Sequence, residues 1–213
     1  MRQTSRGRLA AAALFVAALV TLTNTGDPFR EIAPGPALTV LEKRSGIGVS
    51  ASDGRRLYDL VLARRAVRAL EVGTGSGYSA VWIAAALRQT GGRLTTIEID
   101  PARAEIAEEK FRVAGVAGLI DLHVNDALLE LPNLEGPFDF VFLDPGVPLN
   151  RRAFELLGAK LAPRAAIVCH NGVTLYFQQR DYLDALGAGG RFSTRLIPTL
   201  SGGLHVAEGT AAR

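Results

Sequence analysis

The chain has 213 residues, of which 48% are hydrophobic and 21% are charged, so a disordered chain is excluded and one folded domain with a buried core is expected. The net charge of +3 does not favour a nucleic-acid partner, because residues 1–26 carry three arginines and no acid. Residues 27–213 contain 21 basic and 21 acidic residues, so their formal charge is zero.

Residues 1–26 have the pattern of a targeting segment. Three arginines precede the apolar run Leu9–Val20, as in the charged start and apolar centre of a signal peptide. A helix over residues 9–22 would span only about 21 Å, less than the roughly 30 Å hydrocarbon core of a bilayer. We predict export, or membrane contact through residues 9–22. The alternative is a cytoplasmic protein with a packed or mobile N-terminal helix.

The folded domain is predicted over residues 39–213, after a linker at residues 27–38 that contains three prolines. Its first helix is predicted over Arg55–Arg65. Ser52 and Asp53 are residue types that cap the N-terminus of a helix, and they precede it directly.

A short apolar run at Val67–Val72 leads into three alternating glycines, Gly73, Gly75 and Gly77. An apolar segment of helical length begins at Tyr78. This order predicts a strand, a glycine turn and a helix, in which backbone N–H groups meet an adenosyl or phosphate-bearing ligand. Tyr78 stands where the dinucleotide fingerprint needs its third glycine, so a nicotinamide site is disfavoured.

The next strand is predicted over Arg93–Asp100, with Glu98 near its carboxyl end. An acid about 20 residues after the glycines can accept both hydroxyls of a ribose. Asp100 and Pro101 then begin a helix that reaches about Ala114.

The rest of the chain continues to alternate strands and helices. We predict strands at Ile120–Val124, Phe138–Leu143 and Ala165–Cys169, helices at Leu149–Leu161 and Thr174–Leu186, and final strands at Phe192–Pro198 and Gly203–Ala207. The predicted fold is therefore α/β: a doubly wound, Rossmann-like, mostly parallel seven-stranded sheet with an antiparallel C-terminal strand.

Polar side chains stand where the predicted parallel strands end. They are Glu71, Glu98, Asp126, Asp144, His170 and Asn171. Because the carboxyl ends of parallel strands meet at one edge of a sheet, and ligands bind there, we expect these residues to form a single site.

Several segments occur in an order that is typical of one family: LEVGTGSGYSAVWIA, TTIEID, NDALLELP, FDFVFLD and IPTLSGGLHVA. Over about residues 50–208 the sequence resembles the class I S-adenosylmethionine-dependent O-methyltransferases of the catechol and caffeoyl-CoA type. The resemblance implies transfer of a methyl group to a hydroxyl of a small acceptor such as a phenol. It also implies a homodimer.

The resemblance assigns the cofactor's methionine part to Gly73 and Gly75, and its carboxylate to Ser79. Glu98 would hold the ribose, and Asp126 would lie beside the adenine amino group. Glu71 and Asp144, at the ends of their strands, are also predicted to face the cofactor.

This family uses a divalent metal held by an aspartate after the fourth strand and an Asp-Asn pair after the fifth. Here the corresponding residues are Asp144, His170 and Asn171, and Val147 stands where a lysine is expected. We predict either a divalent ion, Mg²⁺ or Mn²⁺ or a softer one, held by these three residues, or no metal and His170 as general base beside Asp144.

Two other functions are open from the sequence. The first is a non-catalytic relative that binds S-adenosylmethionine, because the lysine and one aspartate are missing. The second is a nicotinamide-dependent oxidoreductase, which Tyr78 disfavours. His123 and His205 alternate with apolar neighbours and are predicted to be structural, and Cys169 is predicted to be buried.

Overall fold

The computed structural model describes residues 49–172, 174–199 and 201–210. The targeting segment at 1–26 and the linker at 27–38 lie outside these residues, so those predictions stay untested. Within the described ranges, every helix is too short or too polar to cross a membrane.

Strands and helices alternate along the chain. The helices are α1 (Ala51–Arg64), α2 (Tyr78–Thr90), α3 (Pro101–Val113), α4 (Ala127–Glu130), α5 (Val147–Leu157) and α6 (Arg180–Gly187). The strands are β1 (Arg68–Val72), β2 (Arg93–Glu98), β3 (Ile120–Val124), β4 (Phe138–Leu143), β5 (Leu161–His170), β6 (Phe192–Ile197) and β7 (Leu204–Gly209).

These strands form one sheet with the order β3-β2-β1-β4-β5-β7-β6. The first five are parallel, and β7 runs antiparallel to both β5 and β6. The predicted seven-stranded doubly wound sheet is thereby confirmed. Val72 of β1 is level with Ile97 of β2 and with Leu143 of β4, so the three central strands end together. The residues that follow them therefore share one edge of the sheet.

Apolar layers cover both faces of the sheet, which explains why β4 is almost continuously hydrophobic. Phe140 and Phe142 pack into the layer formed with the first helices, around Trp82. Val141 and Leu143 point to the opposite layer. Each fully buried side chain of this size contributes about 1.5 to 3 kcal/mol to folding.

The first helix begins earlier than the sequence indicated. α1 starts at Ala51, and its N-cap is Ser50 rather than Ser52 and Asp53. The Asp53 N–H donates to the Ser50 hydroxyl at 3.2 Å, and the Asp53 carboxylate accepts from the Ser50 N–H at 3.0 Å. Asp53 is thus the third helical residue of a capping box, inside the first turn.

Two predicted helices differ at their ends. α5 ends at Leu157 because Gly158 follows with a φ of 25°, and β5 begins at Leu161, four residues before the predicted strand. Pairing of Leu161 with Phe138 of β4 extends β5 in this direction. α6 begins at Arg180 rather than Thr174, after a short 3-10 turn at Phe177–Gln179.

Candidate active site

The glycine turn joins the end of β1 to α2 and lies against β4. The Gly73 N–H donates to the carbonyl of Ile97 at 3.0 Å, which holds the turn against β2. Gly73 has a φ of 93°, and a Cβ at this position would lie 2.4 Å from the Asp144 carbonyl oxygen. Only glycine permits both this conformation and this approach of two backbones. The turn is therefore packed against the end of β4 at Gly73, whereas a Cβ at Gly75 would meet nothing within 4 Å.

Glu98 ends β2 and is tied to the same turn. Its Oε2 accepts from the Gly75 N–H at 2.6 Å, and its Oε1 accepts from the Asp100 N–H at 3.0 Å. Each carboxylate oxygen has two lone-pair sites, so each retains one for a further donor. The side chain is thus fixed in place and can still bind a diol.

Glu71 braces the turn from within the sheet. The side chain is fully buried, and its Oε2 accepts from the Thr96 hydroxyl at 2.6 Å. The Thr96 and Thr74 hydroxyls are themselves 2.6 Å apart. Its Oε1 has no hydrogen-bond partner among the described residues. Burial raises the pKa of Glu71 to about 8, against the opposing effect of hydroxyls from Ser79 and Thr96.

The remaining two cofactor candidates lie at the starts of two helices. Ser79 is 5% exposed in the first turn of α2. Asp126 caps α4, and its Oδ1 accepts from the Leu128 N–H at 2.8 Å. The Asn125 N–H donates to the Glu98 carbonyl at 2.9 Å, so the end of β3 lies beside the end of β2.

Asp144 and His170 meet on the other side of the glycine turn. The Asp144 N–H donates to the carbonyl of Val72 at 2.9 Å, which places this residue directly beside the end of β1. Its Oδ2 lies 3.4 Å from Nδ1 of His170. The Asp144 side chain is 24% exposed, whereas that of His170 is only 3% exposed. The carboxylate is thus the accessible member of the pair.

The His170 ring lies between two carboxylates. Its Nε2 is 3.5 Å from Oδ2 of Asp53, within ion-pair distance although longer than an ordinary hydrogen bond. Its Nδ1 also lies 3.2 Å from Nδ2 of Asn171, whose backbone has a φ of 57°. Burial lowers the pKa of His170, but contacts with Asp144 and Asp53 outweigh it and raise the pKa to about 9.

Sequence reasoning missed Asp53 as part of this site. The residue is fully buried, and its Oδ2 accepts from the hydroxyls of Ser50, at 2.9 Å, and Ser201. The capping pattern that includes it is visible in the sequence. Nothing in that pattern indicates contact with His170, which lies 117 positions further along the chain.

A second set of buried polar residues, also missed, supports the end of β5. Gln179 donates through Nε2 to the Asn171 carbonyl at 3.1 Å. Its Oε1 lies 3.0 Å from the Cys169 thiol and 3.1 Å from Nδ2 of Asn150. Cys169 is buried, as predicted. Gln179 thereby fixes the backbone that carries His170.

The residues present do not fit the divalent metal that the resemblance implies. A metal-bound imidazole must be neutral, with a lone pair directed at the ion. Each nitrogen of His170 instead faces a carboxylate, Asp53 at Nε2 and Asp144 at Nδ1. Across residues 49–172, 174–199 and 201–210, no group of three or more His, Cys, Asp and Glu side chains is arranged to hold a metal ion.

Comparison with known proteins finds that this chain is similar to methyltransferases. Residues 70–172 match the model of a family described as a methyltransferase domain. The sequence is 40% identical over 130 residues to a catechol O-methyltransferase of Mycobacterium tuberculosis, covering 60% of this chain and 57% of that enzyme. It is 35% identical over 129 residues to a catechol O-methyltransferase of Niastella koreensis, covering 59% and 58%.

The fold is similar to that of the O-methyltransferase TomG from Streptomyces achromogenes, solved in complex with S-adenosylmethionine. The TM-score is 0.74 at 29% identity, over 98% of this chain and all of that one. The sequence match to the two catechol O-methyltransferases spans less than three fifths of their length. The sheet, the glycine turn and these relatives make the chain similar to the class I O-methyltransferases.

Proposed function

We propose that this chain transfers the methyl group of S-adenosylmethionine to a hydroxyl of a small acceptor such as a catechol. The observation that carries the proposal is the single sheet edge at which Glu98 binds the glycine turn on one side and Asp144 meets His170 on the other. The names of the two catechol O-methyltransferases, and the cofactor bound to TomG, support it.

The cofactor would lie across the glycine turn. Glu98 is the ribose ligand, because both of its oxygens are fixed and each keeps a free lone-pair site. The turn backbone at Gly73 and Gly75 takes the methionine part, and Ser79 at the start of α2 takes its carboxylate. Asp126 takes the adenine amino group. Glu71 presents its unpartnered Oε1 behind the turn.

The reaction needs an acceptor oxygen in line with the methyl group. The oxygen attacks the methyl carbon while the sulfur–carbon bond breaks, and the electron pair of that bond stays on the sulfur. Because the sulfonium already activates the methyl group, the protein's main task is to position the acceptor. The acceptor must also lose its hydroxyl proton.

His170 is the proposed general base. In the neutral ring the Nε2 proton faces Asp53, which leaves the lone pair of Nδ1 beside Asp144 and the amide of Asn171, whose Nδ2 the acceptor hydroxyl would displace. A base with a pKa near 9 is well matched to a phenolic hydroxyl, whose pKa is about 10. Asp144 then stabilises the imidazolium that forms. No step requires a metal ion.

The second candidate function is a relative that binds S-adenosylmethionine without transferring its methyl group. The high pKa of His170 favours it, since the ring is mostly protonated at neutral pH, and so does Val147 in place of a lysine. The two functions differ in turnover but not in cofactor binding.

The test is an assay of the full chain with methyl-labelled S-adenosylmethionine and a panel of catechols and phenols, with and without a chelator. We expect a methylated acceptor and S-adenosylhomocysteine in equal amounts, with no loss of rate in the chelator. Cofactor binding without product across the panel would establish the non-catalytic relative. Absence of cofactor binding would overturn both proposals.

A further inference from the structure

We infer that Asp53 is a positioning residue for His170: it holds the ring through Nε2, so that Nδ1 faces Asp144 and the acceptor site. The inference rests on the proposed function, in which His170 removes the acceptor proton. It adds the first helix of the described chain to the catalytic arrangement.

The geometry places His170 in a line between two carboxylates from distant parts of the chain. Asp53 Oδ2 is 3.5 Å from Nε2, and Asp144 Oδ2 is 3.4 Å from Nδ1. With a carboxylate at each nitrogen, a rotation of the imidazole ring in either direction would lose an ion-pair contact. Asp53 therefore selects the ring orientation that Asp144 needs.

Helix capping alone does not account for Asp53. A capping box needs only one carboxylate oxygen, for the Ser50 N–H, and works equally well on an exposed helix. Asp53 is instead completely buried, which costs several kcal/mol for a charged group unless partners compensate. Burial raises the pKa of Asp53, but the contact with His170 and hydrogen bonds from Thr199 and Ser50 outweigh it and hold the pKa below its usual value.

The partners of Asp53 come from three separate segments. Ser50 precedes α1, Ser201 lies between β6 and β7, and His170 ends β5. Asp53 thus anchors the imidazole to the helix and to the final hairpin at once. Such an arrangement restricts ring motion more strongly than a contact with one loop would.

The experiment compares Asp53→Asn with the matched variant Asp59→Asn. Asparagine at position 53 keeps an oxygen for the Ser50 N–H, so the helix start is preserved while the charge beside His170 is lost. Asp59 lies on the same helix in an exposed ion pair with Arg55, so its variant controls for loss of a carboxylate from α1. Thermal unfolding of both variants checks that they fold.

For Asp53→Asn we expect kcat to fall about 10- to 100-fold, while KM for S-adenosylmethionine stays within about two-fold of the original value. Asp59→Asn should change neither. A merely structural Asp53 would lower the melting temperature and leave kcat per folded molecule unchanged, and that result would overturn the inference.

A second readout does not depend on turnover. The chain has three histidines, so ¹⁵N ring spectra can be assigned with His170→Gln. We expect the Nε2 proton of His170 to exchange with water about tenfold faster in Asp53→Asn than in the original protein. An unchanged Nε2 signal would contradict the positioning role even if the chain transferred no methyl group. Absent turnover with an altered Nε2 signal would contradict only the proposed function.

Discussion

The backbone N–H of Gly75 donates a 2.6 Å hydrogen bond to Oε2 of Glu98, so the acid at the end of β2 is fixed against the glycine turn after β1. Gly75 and Glu98 are 23 residues apart in sequence, and this hydrogen bond joins them in one rigid surface. A ribose bound to Glu98 would lie beside the turn that takes the rest of the cofactor. Under the proposed function, the position of this carboxylate determines the position of the whole cofactor.

Replacement of Glu98 by alanine should weaken S-adenosylmethionine binding about 10- to 100-fold. A hydrogen bond to a charged group contributes about 1.5 to 3 kcal/mol, and loss of the Gly75 contact also loosens the turn. Equilibrium dialysis with labelled cofactor measures the change, and exposed Glu105→Ala on α3 is the control. Unaltered affinity in Glu98→Ala would remove this residue from the cofactor site.

Gly73→Ala should destabilise the fold by more than about 2 kcal/mol, because strain from its positive φ adds to a clash with the Asp144 carbonyl. Gly91→Ala is the matched variant. Gly91 also has a positive φ, of 77°, but an added Cβ would meet nothing within 4 Å, so its cost should be about 1 to 2 kcal/mol. Urea unfolding of both measures the difference, and equal costs would mean that the backbone approach at Gly73 has no energetic consequence.

Turnover should rise with pH, because the base form of His170 is the neutral ring and the pKa of this residue is raised to about 9. The groups that face the ring are Asp53 from α1 and Asp144 after β4. We expect kcat/KM to increase about tenfold per pH unit and to level off above about pH 9.

His170→Gln should lose most of the turnover and this pH dependence, with cofactor affinity nearly unchanged. An acceptor that is already ionised at neutral pH, such as a nitro-substituted phenol, needs no base and serves as the control. If a non-ionised phenol gave a flat profile, His170 would not be the base.

Acid should destabilise the protein through His205. Burial lowers the pKa of this residue to about 4, and its Nδ1 has no hydrogen-bond partner among the described residues. The unfolded chain therefore binds the proton more tightly than the folded chain. The resulting stability is complete above the unfolded pKa of about 6.5 and is lost as pH falls toward 4, by an amount on the order of 3 kcal/mol.

His205→Gln should flatten this acid limb in urea unfolding series at successive pH values. His123→Gln is the matched control, because the effect of its burial is outweighed by contacts with Glu130 and Asp121, which raise the pKa of His123. His123 thus contributes stability at low pH, and its loss cannot flatten the limb. An acid limb unchanged in His205→Gln would mean that another group causes it.

The sheet could be predicted from the sequence because its signals are local. Val67–Val72, the glycines and Tyr78 form one continuous strand, turn and helix pattern, and the structure has the same order with β1 at Arg68–Val72. Parallel strands then bring Glu98 and Asp144 to one edge without any further information. The buried strands are the easiest elements to predict from the sequence, because both of their faces are apolar.

The partners of His170 could not be predicted in the same way. Asp53 reaches the ring only because α1 begins four residues before the predicted helix and because the loop with Ser201 folds over it. The position of a helix end depends on single hydrogen bonds, so the sequence predicts helix ends least accurately, and Asp53 lies at such an end. The sequence likewise predicts a helix over Thr174–Leu186, and nothing in that pattern indicates that the buried Gln179 side chain holds the Asn171 carbonyl. Export or membrane contact, and the homodimer, stay predictions.

The most direct test of this account is a calorimetric titration of the full chain with S-adenosylmethionine, with NAD titrated into the same sample as a control. The account predicts binding to a single site with a micromolar dissociation constant, without added metal, and no heat from NAD. A folded protein that gave no heat with S-adenosylmethionine would contradict the assignment of the glycine turn and Glu98 as a cofactor site.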